Sequence, residues 1–164
     1  MDRNINQSME FDLVWKDQTA KTLSVAFWNE VLKSPTFNLH ERADEVVFHV
    51  KLSNRIIAVS TAKEILAKEF NNNPFFSFRL LIHPAFRIPG LLDKLSVTTI
   101  EFLERLYIEQ KSSCIGVITL IDNPDLLKRR EAIFPSTGLT MAGYTKAGRQ
   151  IRVRYFKGAR INPL

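Results

Sequence analysis

The stretch Phe75-Phe76-Ser77-Phe78-Arg79-Leu80-Leu81-Ile82-His83-Pro84-Ala85-Phe86-Arg87-Ile88-Pro89-Gly90-Leu91-Leu92-Asp93-Lys94-Leu95, continuing to Leu103, decides the fold. Phe75 to Ile82 is short and rich in Phe, Leu and Ile, as a buried strand is. His83 to Gly90 is a tight connection containing two prolines, an arginine and a glycine. Leu91, Leu92, Leu95, Ile100, Leu103 and Leu106 then recur at helical spacing, which predicts an amphipathic helix. A strand running through a short loop into a helix aims backbone N–H groups and the positive end of the helix at one point. Such a point binds phosphate. The alternative is an ordinary strand-to-helix turn in which glycine supplies only its backbone angle.

Outward from this stretch, strands and helices alternate. Met9 to Trp15 alternates weakly and predicts a first strand. Asp17 to Lys33 reads as a helix capped by Asp17, with Leu23, Phe27, Val31 and Leu32 on one face, ended by Ser34-Pro35. Glu45 to Leu52 and Arg55 to Thr61 are β-branched runs flanking Ser53-Asn54, a hairpin signal. Ala62 to Phe70 reads as a short helix, and Asn71-Asn72-Asn73-Pro74 as a break. After the central stretch, Ser113 to Ile121 is another apolar strand. A helix starts at Asp122-Asn123-Pro124 and runs to Phe134-Pro135-Ser136-Thr137-Gly138. Gly138 to Tyr144 and Arg149 to Phe156 form a final hairpin. The expected fold class is α/β (α+β): a mixed, mostly antiparallel central sheet flanked by helices.

A chain of 164 residues, 45% hydrophobic, predicts a single domain over residues 1–164. One cysteine, Cys114, forms no internal disulfide, which fits a reducing compartment. The N-terminus MDRNINQSMEFD has no apolar signal core, and no apolar run is long enough to span a bilayer. A cytoplasmic protein without a membrane partner is expected. The net charge is +6, and no acidic residue follows Glu131. Lys146, Arg149, Arg152, Arg154, Lys157 and Arg160 lie in that last stretch, just after Lys128-Arg129-Arg130. Either an anionic partner or a solvated basic face accounts for this. Arg152 and Arg154 alternate with Ile151 and Val153, which puts both arginines, near Arg149, on one strand face suited to a phosphate backbone. Three histidines and one cysteine lack metal-ligand spacing, so no metal is expected.

Ile82-His83-Pro84-Ala85-Phe86-Arg87-Ile88-Pro89-Gly90-Leu91-Leu92 resembles the central motif of the GCN5-related N-acetyltransferases, V-x-P-x-x-R/Q-x-x-G-x-G/A. Pro84, Arg87 and Gly90 match. Leu92 stands where that family has Gly or Ala, and Pro89 removes one N–H from the loop. The resemblance implies acetyl-CoA or a longer acyl-CoA held by Arg87, Ile88, Gly90, Leu91 and Leu92. It further implies that the backbone of Leu81, Ile82 and His83 pairs with the pantetheine arm, and that Asn123 orients the cofactor or caps the next helix. The implied activity is transfer of an acyl group to a primary amine on a small molecule or a protein, with an edge strand available for a homodimer.

Catalytic side chains are thin on this reading. His83 is a candidate base. The family's Tyr position falls on Phe134, which has no proton to give; Ser136, Tyr144 and Cys114 are the substitutes. Glu45 and His49 are further base candidates. The second reading is a catalytically degenerate binding module, or a nucleic-acid-associated modification protein, that uses Arg149, Arg152 and Arg154.

Overall fold

The computed structural model describes residues 8–164; Met1–Gln7, part of the segment read above for a signal core, lie outside the described residues. The elements run β1 (Glu10–Leu13), α1 (Gln18–Val31), α2 (Leu39–Ala43), β2 (Val46–Leu52), β3 (Arg55–Ala67), β4 (Asn73–Ile82), α3 (Leu91–Ile108), β5 (Gly116–Ile121), α4 (Pro124–Leu127), β6 (Thr140–Tyr144) and β7 (Gln150–Tyr155). Single 3₁₀ turns occupy Lys68–Phe70 and Pro84–Phe86. The sheet has seven strands in the order β1-β2-β3-β4-β5-β7-β6. β4 and β5 are parallel, registering Phe76 with Val117 and Ser77 with Ile118. β1–β2, β2–β3, β5–β7 and β6–β7 are antiparallel. The sheet is therefore mixed and mostly antiparallel, flanked by helices. No described helix is long and apolar enough to cross a membrane.

Local signals account for most boundaries. Asp17 caps α1 by accepting from the Thr19 N–H at 2.9 Å. Asn71 and Asn72, both at positive φ, carry the chain from β3 into β4 in the left-handed region that Asn tolerates best after Gly. Two expectations need correction. Ala62–Phe70 is not a helix: β3 continues to Ala67 before one 3₁₀ turn. Its Ala, Lys, Glu and Leu are good helix formers, but helix propensity amounts to about a few tenths of a kcal/mol per residue and sheet pairing overrides it. The helix starting at Pro124 ends at Leu127, not near Phe134. The five-residue helix α2, capped by Asn38, went unread because it is too short to show a period.

The chain forms two compact units: residues through Ala62 together with Leu80–Leu95, and Lys63–Arg79 together with Ser96–Leu164. In the first, Phe27 and Trp28 of α1 pack with Ala43, Val46 and Val59, and with half-buried Leu81. Each fully buried large apolar side chain contributes about 1.5–3 kcal/mol. In the second, Ala67, Phe75, Ile115, Ile118 and Val153 form the core, with Phe75 against the rings of Phe70 and Tyr155. Gly116 lets β5 and β7 approach: a Cβ there would lie 2.3 Å from the Arg154 carbonyl oxygen.

One polar pair is sealed inside the first unit. His49 of β2 is 1% exposed and its Nε2 lies 2.7 Å from Ser24 Oγ. Ser24 donates its one proton to the Ala20 carbonyl at 2.7 Å, so His49 is the donor to Ser24. Burial, helped by Lys51, lowers the His49 pKa to about 4. The unfolded chain, with His near 6.5, takes up the proton first. Stability from this site is therefore complete above pH 6.5 and is lost as pH falls toward 4, by on the order of 3 kcal/mol. Urea unfolding across that range should show the loss, and His49→Gln should flatten it.

Candidate functional site

The connection from β4 to α3 is built from three successive turns. The His83 carbonyl accepts from the Phe86 N–H at 2.8 Å, closing the 3₁₀ turn. Arg87, at φ −73 and ψ 72, is the centre of an inverse γ-turn in which the Ile88 N–H reaches the Phe86 carbonyl at 2.8 Å. Ile88-Pro89-Gly90-Leu91 is a type II turn, with Pro at its second position, Gly90 at φ +81 at its third, and the Leu91 N–H on the Ile88 carbonyl at 3.1 Å. The Lys94 N–H then bonds the Gly90 carbonyl and opens the 18-residue helix α3.

Arg87, Pro89 and Gly90 are exposed, while Ile88 is half-buried and Leu91 is buried in the core. An added Cβ on Gly90 meets nothing within 4 Å, so glycine serves the turn's backbone angle and leaves the space outside it open. Leu92, at the second position of the helix, is half-buried. The exposed tip thus combines a guanidinium, a small residue and the positive end of a long helix, which is chemistry suited to phosphate. The Leu91 N–H is already taken by the type II turn.

His83 sits where β4 ends. Its backbone N–H bonds the Ile57 carbonyl at 2.8 Å. Its Nδ1 accepts from the Ala85 N–H at 3.1 Å, which leaves the proton of the neutral ring on Nε2. Nε2 lies 3.4 Å from Glu30 Oε1, at the end of α1. Glu30 also pairs with Arg55, at the start of β3, whose guanidinium lies over the Phe86 ring at 5.2 Å. The Phe86 ring meets His83 edge-on at 5.3 Å. Glu30, Arg55 and Phe86 were not read from the sequence; they converge from three distant segments and no local spacing signals them.

Leu81, Ile82, His83, Arg87, Ile88, Gly90, Leu91 and Leu92 thus form one continuous part of the first unit. Asn123, Ser136, Tyr144, Cys114 and the three arginines lie in the second unit. Asn123 caps α4, accepting from the Asp125 N–H at 2.9 Å. Ser136 is exposed in the connection to β6, and Tyr144, 64% exposed, ends that strand. Cys114 is buried, and burial pushes its pKa up to about 12, which makes it a poor nucleophile or acid at neutral pH. Of the base candidates in the first unit, His49 is sealed on Ser24 and Glu45 pairs with Arg42 at 3.3 Å.

The expected arginine face takes a different form. Arg152 is 1% exposed. Its guanidinium donates to the carbonyls of Glu131 (2.8 Å), Leu139 (3.1 Å) and Ala132 (3.3 Å), and its Nε to Gln150 (2.6 Å). It lies 3.5 Å from the centre of the Phe134 ring, which Arg129 covers at 4.2 Å. Burial, then the charge of Arg129, lowers its pKa. Arg154 donates to the Thr137 carbonyl at 2.9 Å and pairs with Glu104 at 3.5 Å. Arg149 stays half-exposed, 3.8 Å from Asp122. Arg152 therefore takes up carbonyls of the 131–139 connection, where the sequence had suggested the end of a helix. Among the described residues no group of three metal-ligating side chains occurs.

No protein-family model matches the chain, and no curated protein matches it in sequence. Solved structures do match in fold. The ribosomal-protein-S18-alanine N-acetyltransferase of Escherichia coli is similar with a TM-score of 0.61 and 14% identity, over 96% of this chain and 99% of that one. A GNAT-family acetyltransferase of Streptococcus pneumoniae gives 0.59 and 13%, over 91% and 99%. NAA60 of Arabidopsis thaliana, solved with acetyl-CoA, gives 0.58 and 12%, over 92% and 100%. The chain has the GNAT fold.

Arg152→Ala strands the buried Leu139 carbonyl and Gln150 side chain and frees two part-buried carbonyls, and should lower unfolding free energy by about 3 kcal/mol. Arg149→Ala, at the surface, should change it by less than about 0.5 kcal/mol. Chemical denaturation of the two variants distinguishes a buried clamp from a solvated arginine face.

Proposed function

We propose that this chain is an acyl-CoA-dependent N-acyltransferase that moves an acetyl or other acyl group onto a primary amine, acting as one domain. The observation that carries the reading is the β4–turn–α3 connection. An exposed Arg87-Ile88-Pro89-Gly90 tip meets the positive end of an 18-residue helix, in a GNAT fold. That one of its structural neighbours was solved with acetyl-CoA supports the choice of phosphorylated ligand.

In this reading Arg87 and the Gly90 turn hold the pyrophosphate, and the backbone of Leu81 to His83 lines the pantetheine arm. The neutral amine nitrogen attacks the thioester carbonyl, a C–N bond forms, the C–S bond breaks, and the proton that the nitrogen gives up ends, directly or through water, on the departing coenzyme A thiolate. Backbone N–H groups steady the oxygen on which charge develops. Alignment of amine and thioester supplies most of the rate, since good positioning is worth about 7–11 kcal/mol. The acceptor class is an amine on a small molecule or a protein, and the protein works in the cytoplasm. The basic C-terminal stretch gives a nucleic-acid role less support, because Arg152 is buried and Arg154 is tied to Thr137 and Glu104.

The test uses two variants of Gly90. Asn and Asp are close in size and both tolerate positive φ, so either keeps the turn. Only Asp adds a negative charge, and it points into open space. Calorimetric binding of coenzyme A should weaken at least tenfold in Gly90→Asp relative to Gly90→Asn. Equal affinities in the two folded variants would overturn the assignment of this loop.

A further inference from the structure

We propose that Glu30 is a positioning residue for the loop 83–90, a carboxylate on α1 that sets the shape of the phosphate-binding turn without touching the ligand. The proposal deepens the acyl-CoA reading of this loop and rests on it for its consequence on affinity.

Three chain ends gather at Glu30: its own at the close of α1, Arg55 at the start of β3 and His83 at the close of β4. One oxygen, Oε1, serves both Arg55 and His83 Nε2. Each partner leads into the loop by a separate route. Through His83, the carboxylate faces the N–H of the tautomer whose Nδ1 accepts from Ala85, and so favours the form that caps the 3₁₀ turn. Through Arg55, it holds a guanidinium over the Phe86 ring, which itself abuts His83. Phe86 and His83 are the two ends of the hydrogen bond that closes this turn, and the Phe86 carbonyl accepts from Ile88 in the next. A displaced His83 or Phe86 therefore passes directly to Arg87 and to the type II turn at Pro89-Gly90.

The contacts are partly solvated: Glu30 and Arg55 are each about half-exposed, while the His83 side chain is 17% exposed. Pairs of this kind add little to global stability. Their effect belongs in local order, where a short loop opens independently of the core.

Amide hydrogen exchange in the ligand-free full chain reads that order, and calorimetric binding of coenzyme A reads its consequence. In Glu30→Leu, exchange at Phe86, Ile88 and Leu91 should quicken at least tenfold, exchange within β2 should stay as in the parent, and coenzyme A should bind about tenfold more weakly. Glu30→Gln, which retains hydrogen bonding, should restore most of both. His83→Asn can still cap Ala85 from its side-chain oxygen but falls short of Glu30. It should behave like Glu30→Leu if the carboxylate contact sets the loop. Parent-like loop exchange in both Glu30→Leu and His83→Asn would overturn the proposal. Quickened exchange in a protein whose parent form binds no coenzyme A would uphold the positioning role and refute the acyl-CoA reading instead.

Discussion

The chain leaves β4 and starts α3 within eight residues, and the backbone polar groups in that span must find partners as it turns. It meets this constraint with three turns in sequence, each closed by one N–H to carbonyl bond, ending on a glycine at φ +81. The arrangement points the first turn of a long helix at an exposed tip carrying Arg87. Strand, tip and helix end are thereby fixed relative to one another by backbone geometry. Side-chain identity matters mainly where φ is positive and where a proline sets the preceding angle. A connection fixed in this way needs few specific side chains, which is consistent with a GNAT fold shared at 12–14% identity.

Buried polar groups keep the two units in shape. In the first, His49 stays neutral and ties β2 to α1 through Ser24. In the second, Arg152 and Arg129 enclose Phe134, and Arg152 takes up three main-chain carbonyls and the Gln150 side chain. A buried arginine with this many acceptors specifies the path of an irregular segment that lacks helical bonding of its own. The position where a GNAT resemblance would place a proton-donating Tyr is occupied by this stacked Phe, so on the proposed reading protonation of the leaving thiolate falls to another group or to water.

Much of this was legible in the sequence because the signals were local. The apolar run Phe75–Ile82, the Pro-Gly turn and the spacing of Leu91, Leu95 and Leu103 placed β4, the loop and α3. Asp17 marked the start of α1, and Ser53-Asn54 the β2–β3 hairpin. What was not legible depended on contacts between distant residues. Ala62–Ala67 reads as helix by composition and becomes strand because a neighbour supplies its hydrogen bonds. Arg152 reads as a surface arginine by alternation, yet the sheet face it occupies is covered by the 131–139 connection. Glu30, Arg55 and Phe86 carry no mark of their shared role, since their meeting at His83 exists only in the fold.

The most direct test of the account is amide chemical-shift mapping of the labelled protein titrated with acetyl-CoA, with phosphate at equal ionic strength as control. Saturable shifts, absent with phosphate and concentrated in Leu81 to Leu95, are expected. Shifts confined to the basic hairpin around Lys146 and Arg149, or none at all, would contradict it.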